Sequence, residues 1–139
     1  MKLLPSKTKY RKAQKGGRKI TGVANTGSTL AFGSYGLKAL SSGRFKANQM
    51  EATRRSISRN LKRTGKMWIR VFPQIPVTSK PAEVRMGSGK GSVSYWMCRV
   101  QPGLMLFEVD GVPEDVAINA LTKASAKLPF QTKIVKLIN

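Results

Sequence analysis

The sequence predicts an α+β domain: a two-layer sandwich in which two helices cover a mainly antiparallel or mixed sheet, preceded by a basic N-terminal extension. Three observations carry this. The chain has 139 residues, 40% of them hydrophobic, which suits one modest core. Apolar residues recur at helical spacing in two stretches, while other stretches are short runs of strand formers. Residues 1–28 carry Lys2, Lys7, Lys9, Arg11, Lys12, Lys15, Arg18 and Lys19, no acid, and few residues able to build a core. The division is therefore an arm over 1–28 and a single domain over 29–139.

The elements follow in order. Residues 29–33 (Thr-Leu-Ala-Phe-Gly) read as a short strand, and residues 34–43 as a turn or short helix closed by Gly43. Residues 46–63 read as a helix with Ala47, Met50, Ile57 and Leu61 on one face and Arg55, Arg59, Lys62 and Arg63 roughly opposite; Gly65 is placed to end it. Residues 66–72 alternate as a strand stopped by Pro73 and Pro76, and 73–92 is a loop. Strands over 93–100 and 104–109 flank Gln101-Pro102-Gly103-Leu104. Pro then Gly at its centre predicts a type II turn and an antiparallel hairpin. Pro113 opens a second helix at its first position, with Glu114 and Asp115 in the first turn and Val116, Ala117, Ala120, Leu121 and Ala124 on its apolar face. Lys123 and Lys127 suit its C-terminal end, Pro129 stops it, and 130–138 alternate as a last strand.

Charge points to the partner. Lys and Arg number 26 against six acids, a net charge of +20. Residues 1–100 hold 22 cations and two acids, whereas 101–139 hold four of each, so the whole excess lies on the first part of the chain. A polyanion is the natural counterpart, nucleic acid first and an anionic membrane surface second. On the first helix the outer face is almost purely cationic, with Glu51 its one acid. Such a face destabilises an isolated helix, and phosphate across it would offset that. In the arm, Tyr10 adds a ring that can stack on a base. A solvated tail is the plainer reading there, but the one-signed charge favours an arm that becomes ordered against RNA.

Catalytic classes are largely excluded. There is no histidine, hence no Ser–His or Cys–His couple and no histidine metal ligand. The one cysteine, Cys98, lies in the apolar run Tyr95-Trp96-Met97-Cys98 and reads as a buried small hydrophobe; no intrachain disulfide can form. No run of 18 apolar residues marks a transmembrane helix. Residues 1–20 lack the apolar stretch of a secretory signal and the apolar face of a presequence, so they are read as part of the working protein. No metal site, cofactor or catalytic residue is expected.

The sharpest local signal is Lys-Pro-Ala-Glu-Val-Arg-Met-Gly-Ser-Gly-Lys-Gly-Ser over 80–92. Three glycines in five residues lie beside Arg85 and Lys90, a composition that lets backbone approach phosphate closely. It is not a Walker loop: Gly91 follows Lys90 where Ser or Thr is needed, and Val84 stands where the earlier glycine belongs. A flexible surface loop is the bland alternative.

Distinctive stretches are Lys7-Thr8-Lys9-Tyr10-Arg11-Lys12, Phe32-Gly33-Ser34-Tyr35-Gly36-Leu37-Lys38-Ala39, Gln49-Met50-Glu51-Ala52-Thr53-Arg54-Arg55 and Gly65-Lys66-Met67-Trp68-Ile69-Arg70-Val71-Phe72-Pro73. Together they resemble the L-sixteen family of large-subunit ribosomal proteins, in its bacterial and organellar form. The Lys80–Ser92 segment, Leu106-Phe107-Glu108-Val109-Asp110-Gly111-Val112-Pro113 and Lys127-Leu128-Pro129 complete a resemblance over nearly the whole chain. It differs at Ser92-Val93-Ser94-Tyr95-Trp96, where the family often has a proline before the aromatic pair, and over 19–28.

The resemblance implies an α+β sandwich bound to large-subunit rRNA, close to the elbow of the tRNA in the acceptor site, with a part in late subunit assembly. It also implies that the loop matching Arg85, Met86, Gly87, Ser88, Gly89, Lys90 and Gly91 reaches toward tRNA and the peptidyl transferase region. In some bacteria the arginine matching Arg85 is hydroxylated. The Val-Ser-Tyr-Trp-Met-Cys and Thr-Leu-Ala-Phe-Gly-Ser stretches are nearer to alphaproteobacterial than to plastid members, which points first to a mitochondrial ribosome and second to a bacterial one.

The expected function is accordingly structural and not enzymatic. rRNA-binding residues are expected at Lys7, Lys9, Tyr10, Arg11, Lys12, Lys15, Arg18, Lys19, Arg54, Arg55, Arg59, Lys62 and Arg63, with 85–91 as the tRNA- or rRNA-contacting tip. The expected partners are large-subunit rRNA, tRNA and neighbouring ribosomal proteins, with neither membrane nor self-association. The alternatives are a free nucleotide-binding protein using 85–91, for which saturable ATP or GTP binding would speak, and a basic membrane-surface protein, which liposome flotation separates from RNA binding.

Overall fold

The computed structural model describes residues 2–17 and 19–138. Its order is β1 (Tyr35–Ala39), β2 (Gly43–Lys46), α1 (Ala47–Asn60), β3 (Lys66–Ile69), β4 (Ile75–Ser79), β5 (Ser92–Val100), β6 (Met105–Asp110), α2 (Glu114–Ser125) and β7 (Thr132–Lys136). The fold is α+β, as predicted. The strands form two sheets rather than one, ordered β3-β6-β1-β7 and β2-β5-β4, and every pairing is antiparallel. The helices pack on each other, α2 against β1 and β7 and α1 against β2 and β5. Phe45 of β2 joins the layers, meeting Phe107 of β6 and Phe130 edge-on at ring-centroid distances of 6.2 and 5.5 Å.

Both helices form where the periodicity places them, with shorter bounds. In α1, Met50 and Ile57 are fully buried, and Leu61 is buried just beyond the helix. Thr53 is buried too, its hydroxyl satisfied by donation to the Gln49 carbonyl at 2.8 Å. Gln49 accepts from the Lys46 amide at 3.0 Å and so closes the first turn. The helix stops at Asn60, because Lys62 and Arg63 adopt left-handed φ values of 51° and 64°. Pro113 is the N-cap of α2 rather than its first helical residue, and Glu114 and Asp115 occupy the first turn. Ala117, Ala120, Leu121 and Ala124 are buried, but Val116, expected on that face, is exposed.

Four expectations are corrected, two of strands and two of non-strand segments. Residues 29–33 form no strand. The amides of Ala31, Phe32 and Gly33 instead donate to the Glu108 carboxylate, so they are not available to a ladder. The segment read as a turn or short helix, 34–43, contains β1 and the start of β2. Its glycine at 36 serves packing rather than turning: a Cβ there would lie 2.6 Å from Leu30 Cδ2 and 2.7 Å from Met105 Sδ. The predicted strand over 66–72 is confined to 66–69 as β3, and β4 lies inside the stretch read wholly as loop, carrying Pro76. That strand is an edge of its sheet, where a proline costs no ladder bond if its nitrogen faces outward.

The turn at Gln101–Leu104 forms, with Leu104 donating to the Gln101 carbonyl at 3.2 Å and Gly103 at φ +92°. It does not close a hairpin, however. β5 pairs with β2 and β4 while β6 pairs with β1 and β3, so the turn carries the chain from one sheet to the other.

Candidate nucleic-acid interface

Three groups of cations emerge. The first is on α1 and the turn after it, where Arg54, Arg55, Ser58, Arg59, Lys62 and Arg63 line an open concavity of about 600 Å³. Arg55, Arg59, Lys62 and Arg63 are exposed, as expected. Arg54 is not presented in the same way. Its guanidinium grips Glu51 with Nη2 at 2.7 Å and Nε at 2.9 Å, and Arg55 shares that carboxylate at 3.0 Å. These bonds, that from Arg54 foremost, hold Glu51 down at a pKa of about 2, and Arg54 is raised in return.

The stability this pair lends is therefore complete above the ordinary Glu value of 4.5 and is lost as pH falls toward 2. Glu51→Gln is expected to lower stability at neutral pH by less than about 1 kcal/mol, because a partly exposed pair is weak, and to flatten the acid limb of a pH–stability curve between 4.5 and 2 by that same amount. An unchanged acid limb would show that the pair contributes nothing to folding.

Two cations join this patch that sequence reasoning left out. Lys123 and Lys127 of the α2 end, together with Arg55, Arg59 and Asn60, line a second concavity between the helices, and Lys123 donates to Asn60 Oδ1 at 3.1 Å. Their placement at the C-terminal end of α2 suggested only compensation of its dipole. The packing of α2 on α1 is what brings them to the same surface.

The second group is the N-terminal segment. Lys7, Lys9, Tyr10, Arg11, Lys12, Lys15 and Lys19 are all exposed; Arg18 lies outside the described residues. The sequence predicts order here only against RNA, but the structure lays the segment on the domain itself. Leu3 is buried in the core. Arg44 of β2 donates to the carbonyls of Gly17 and Gly16 at 2.8 and 3.2 Å, and Gln101 to that of Thr21 at 2.9 Å. Backbone bonds from Ala24 to Pro102 and from Met105 to Gly27 carry the segment into the domain.

The third group is the glycine-basic loop, which forms the tip of the β4–β5 hairpin, where Ser79 pairs with Ser92. Residues 85–90 are exposed, and Met86, at 98% exposure, is the extreme case. Gly87, Ser88 and Gly89 all adopt positive φ, a backbone only a glycine-rich sequence holds cheaply. Lys80 donates to the Gly87 carbonyl across the loop. Lys90 is less available than expected: its ammonium binds the Ala13 carbonyl at 2.8 Å, while Lys12 binds the Lys90 carbonyl at 2.8 Å. This reciprocal pair joins the arm to the loop. Arg85 is exposed, with no ion-pair partner among the described residues. A strand, β5, follows the loop, so no helix N-terminus is offered to a nucleotide phosphate here.

Behind these surfaces the acids are occupied. Glu108 is fully buried and accepts from Phe32 at 2.7 Å, Gly33 at 2.9 Å and Ala31 at 3.1 Å, with Arg70 as its ionic partner. Burial pushes its pKa up, but the three amides and Arg70 outweigh that and hold it below the usual value. Asp110 takes the Ser34 hydroxyl at 2.7 Å, and Glu114 pairs with Lys136 at 2.5 Å. Of the paired acids, only Glu51 lies within a cationic patch, where it offsets part of the charge of Arg54 and Arg55.

Burial pushes the Cys98 thiol up to about 12, which keeps it protonated and unreactive. Among the described residues no cluster of His, Cys, Asp and Glu could hold a metal ion, and no helix is long and apolar enough to cross a membrane.

Comparison with known proteins identifies the family. The family model described as "Ribosomal protein L16p/L10e" matches residues 5–135. The chain is 60% identical over 136 residues to a protein of Hyphomonas neptunium, covering 98% of this chain and 97% of that one. It is 59% identical over 133 residues to one of Maricaulis maris and 58% over 134 to one of Psychrobacter cryohalolentis, covering 96% of both chains in each case. All three relatives carry the name "Large ribosomal subunit protein uL16". They are bacterial, so the mitochondrial ribosome expected first draws no support from them, whereas the bacterial one expected second does. The chain belongs to the ribosomal protein L16p/L10e family, whose members are structural components and not enzymes.

Proposed function

We propose that this chain is a structural constituent of the large ribosomal subunit of a bacterial-type ribosome, bound to large-subunit rRNA through its cationic surface. The observation that carries the reading is the concentration of positive charge on α1, the arm and the β4–β5 tip, offset on α1 by Glu51, while Glu108, Asp110 and Glu114 are engaged elsewhere. Lys7, Lys9, Tyr10, Arg11, Lys12, Lys15, Arg18, Lys19, Arg55, Arg59, Lys62 and Arg63 meet phosphates and bases, and binding releases counterions. Arg54 contributes chiefly by anchoring Glu51. Residues 85–91 extend the surface to a mobile partner, the tRNA near the acceptor site and peptidyl transferase region. The same placement gives the protein a part in late assembly.

The role is positional. RNA of defined shape is held by backbone contacts, and no covalent step is required of the protein. The working partners are rRNA, tRNA and adjacent ribosomal proteins, with no self-association. The test is co-sedimentation with large subunits in moderate salt and release in high salt; a protein found only in free fractions would overturn the reading.

Arg85→Ala is expected to leave the thermal midpoint within a degree or two, since an exposed loop arginine holds little of the core. The same variant should slow translation or subunit maturation. A large fall in the midpoint would make Arg85 structural instead.

A further inference from the structure

The charged patches do not account for a cleft of about 630 Å³ between the N-terminal segment and the second sheet. Its walls include Tyr10 from the arm, Phe72 from the link between β3 and β4, and Trp96 from β5, with Lys9 and Lys12 beside them. Tyr10 is 71% exposed and Phe72 39% exposed, so two rings stand open to solvent in one concavity. Neither ring has an aromatic partner among the described residues. The Lys9 ammonium stands over the Tyr10 ring at 5.5 Å, while the Lys12 ammonium is held at the rim by the Lys90 carbonyl. No acid lines the cleft, and Gln74 supplies an amide able both to donate and to accept.

We infer that this cleft takes a single unstacked nucleobase of RNA, with its phosphate against the rim lysines. Open rings, an amide and cations without acids match a base with its π-face, polar edge and anionic linkage. A duplex offers no such base, so the cleft would read a bulged or looped nucleotide, a component separate from the phosphate binding of α1. The inference rests on the rRNA-binding reading above.

The experiment uses the full chain and three RNAs: a short oligouridylate, an abasic strand with the same number of phosphates, and a blunt-ended duplex. Because Trp68 lies outside the cleft, Trp68→Phe makes Trp96 the sole tryptophan reporter. Oligouridylate should quench Trp96 and bind more tightly than the abasic strand. Tyr10→Ala and Phe72→Ala should each weaken oligouridylate binding by about 5- to 150-fold, the range for loss of one base–aromatic stack. Phe72→Ala should not alter duplex affinity, and Tyr10→Phe should restore binding. Equal affinity for the abasic strand, or alanine variants that bind oligouridylate like the parent, would overturn the cleft while leaving the rRNA reading intact. Failure to bind any of the three RNAs at low salt would overturn both. The alanine variants' thermal midpoints show whether a loss reflects unfolding.

Discussion

Replacing Glu108 by alanine is expected to lower the stability of the domain by about 3–5 kcal/mol, the cost of removing one partner from a buried ion pair. The carboxylate is fully buried and has four partners: three successive amides, Ala31, Phe32 and Gly33, and the Arg70 guanidinium. Alanine leaves three donors without an acceptor and a half-buried cation without its counterion. It also releases the segment before β1 from β6, so the Phe32 ring loses its fixed position beside Trp68 and under Arg70. Against the 5–15 kcal/mol typical of whole domains, this is a large fraction.

Glu108→Gln should fall between parent and alanine variant, because one carbonyl oxygen still accepts from an amide while the charge facing Arg70 is gone. The loss should depend weakly on salt, since the pair is shielded from solvent ions. Urea denaturation measures it, and a change below about 1 kcal/mol would show that water replaces the carboxylate without difficulty.

The second large effect is on binding and should leave folding intact. Changing Arg55, Arg59, Lys62 and Arg63 together to alanine is expected to flatten the plot of log affinity for large-subunit rRNA against log salt by about 3 units, at roughly 0.7–0.9 per lost phosphate contact. All four side chains are exposed and none belongs to the core. The free protein should even gain a few tenths of a kcal/mol, because the substitutions relieve like-charge repulsion along the helix. Glu51 keeps Arg54 as its partner. A slope equal to the parent's would place the RNA on another surface. A fall in stability would assign these residues to the fold instead.

Much of this was legible locally. The period of Met50, Ile57 and Leu61 and that of Ala117, Ala120, Leu121 and Ala124 marked both helices, because burial on one face imposes a repeat that needs no knowledge of the partner. The Pro102-Gly103 turn and the glycine-rich tip were equally plain, since their backbone conformations are chosen by the residues that occupy them. The cationic arm, helix and tip follow from counting charges along the chain.

The sequence by itself determined the α+β class, the helices, the loop chemistry and the concentration of positive charge on the first part of the chain. Tertiary structure alone decided how the strands divide into two sheets, and that the 101–104 turn crosses between them rather than closing a hairpin. It alone made Gly36 a packing residue, placed Pro76 on an edge strand, and gathered the amides of 31–33 around a carboxylate more than 70 residues away. It also brought Lys123 and Lys127 beside Arg55 and Arg59, and Tyr10 beside Phe72 and Trp96. The physical reason is shared. Periodicity and turn chemistry are properties of neighbouring residues, whereas strand partners, buried counter-charges and clefts arise between segments far apart in the chain, and no local pattern encodes which segments meet.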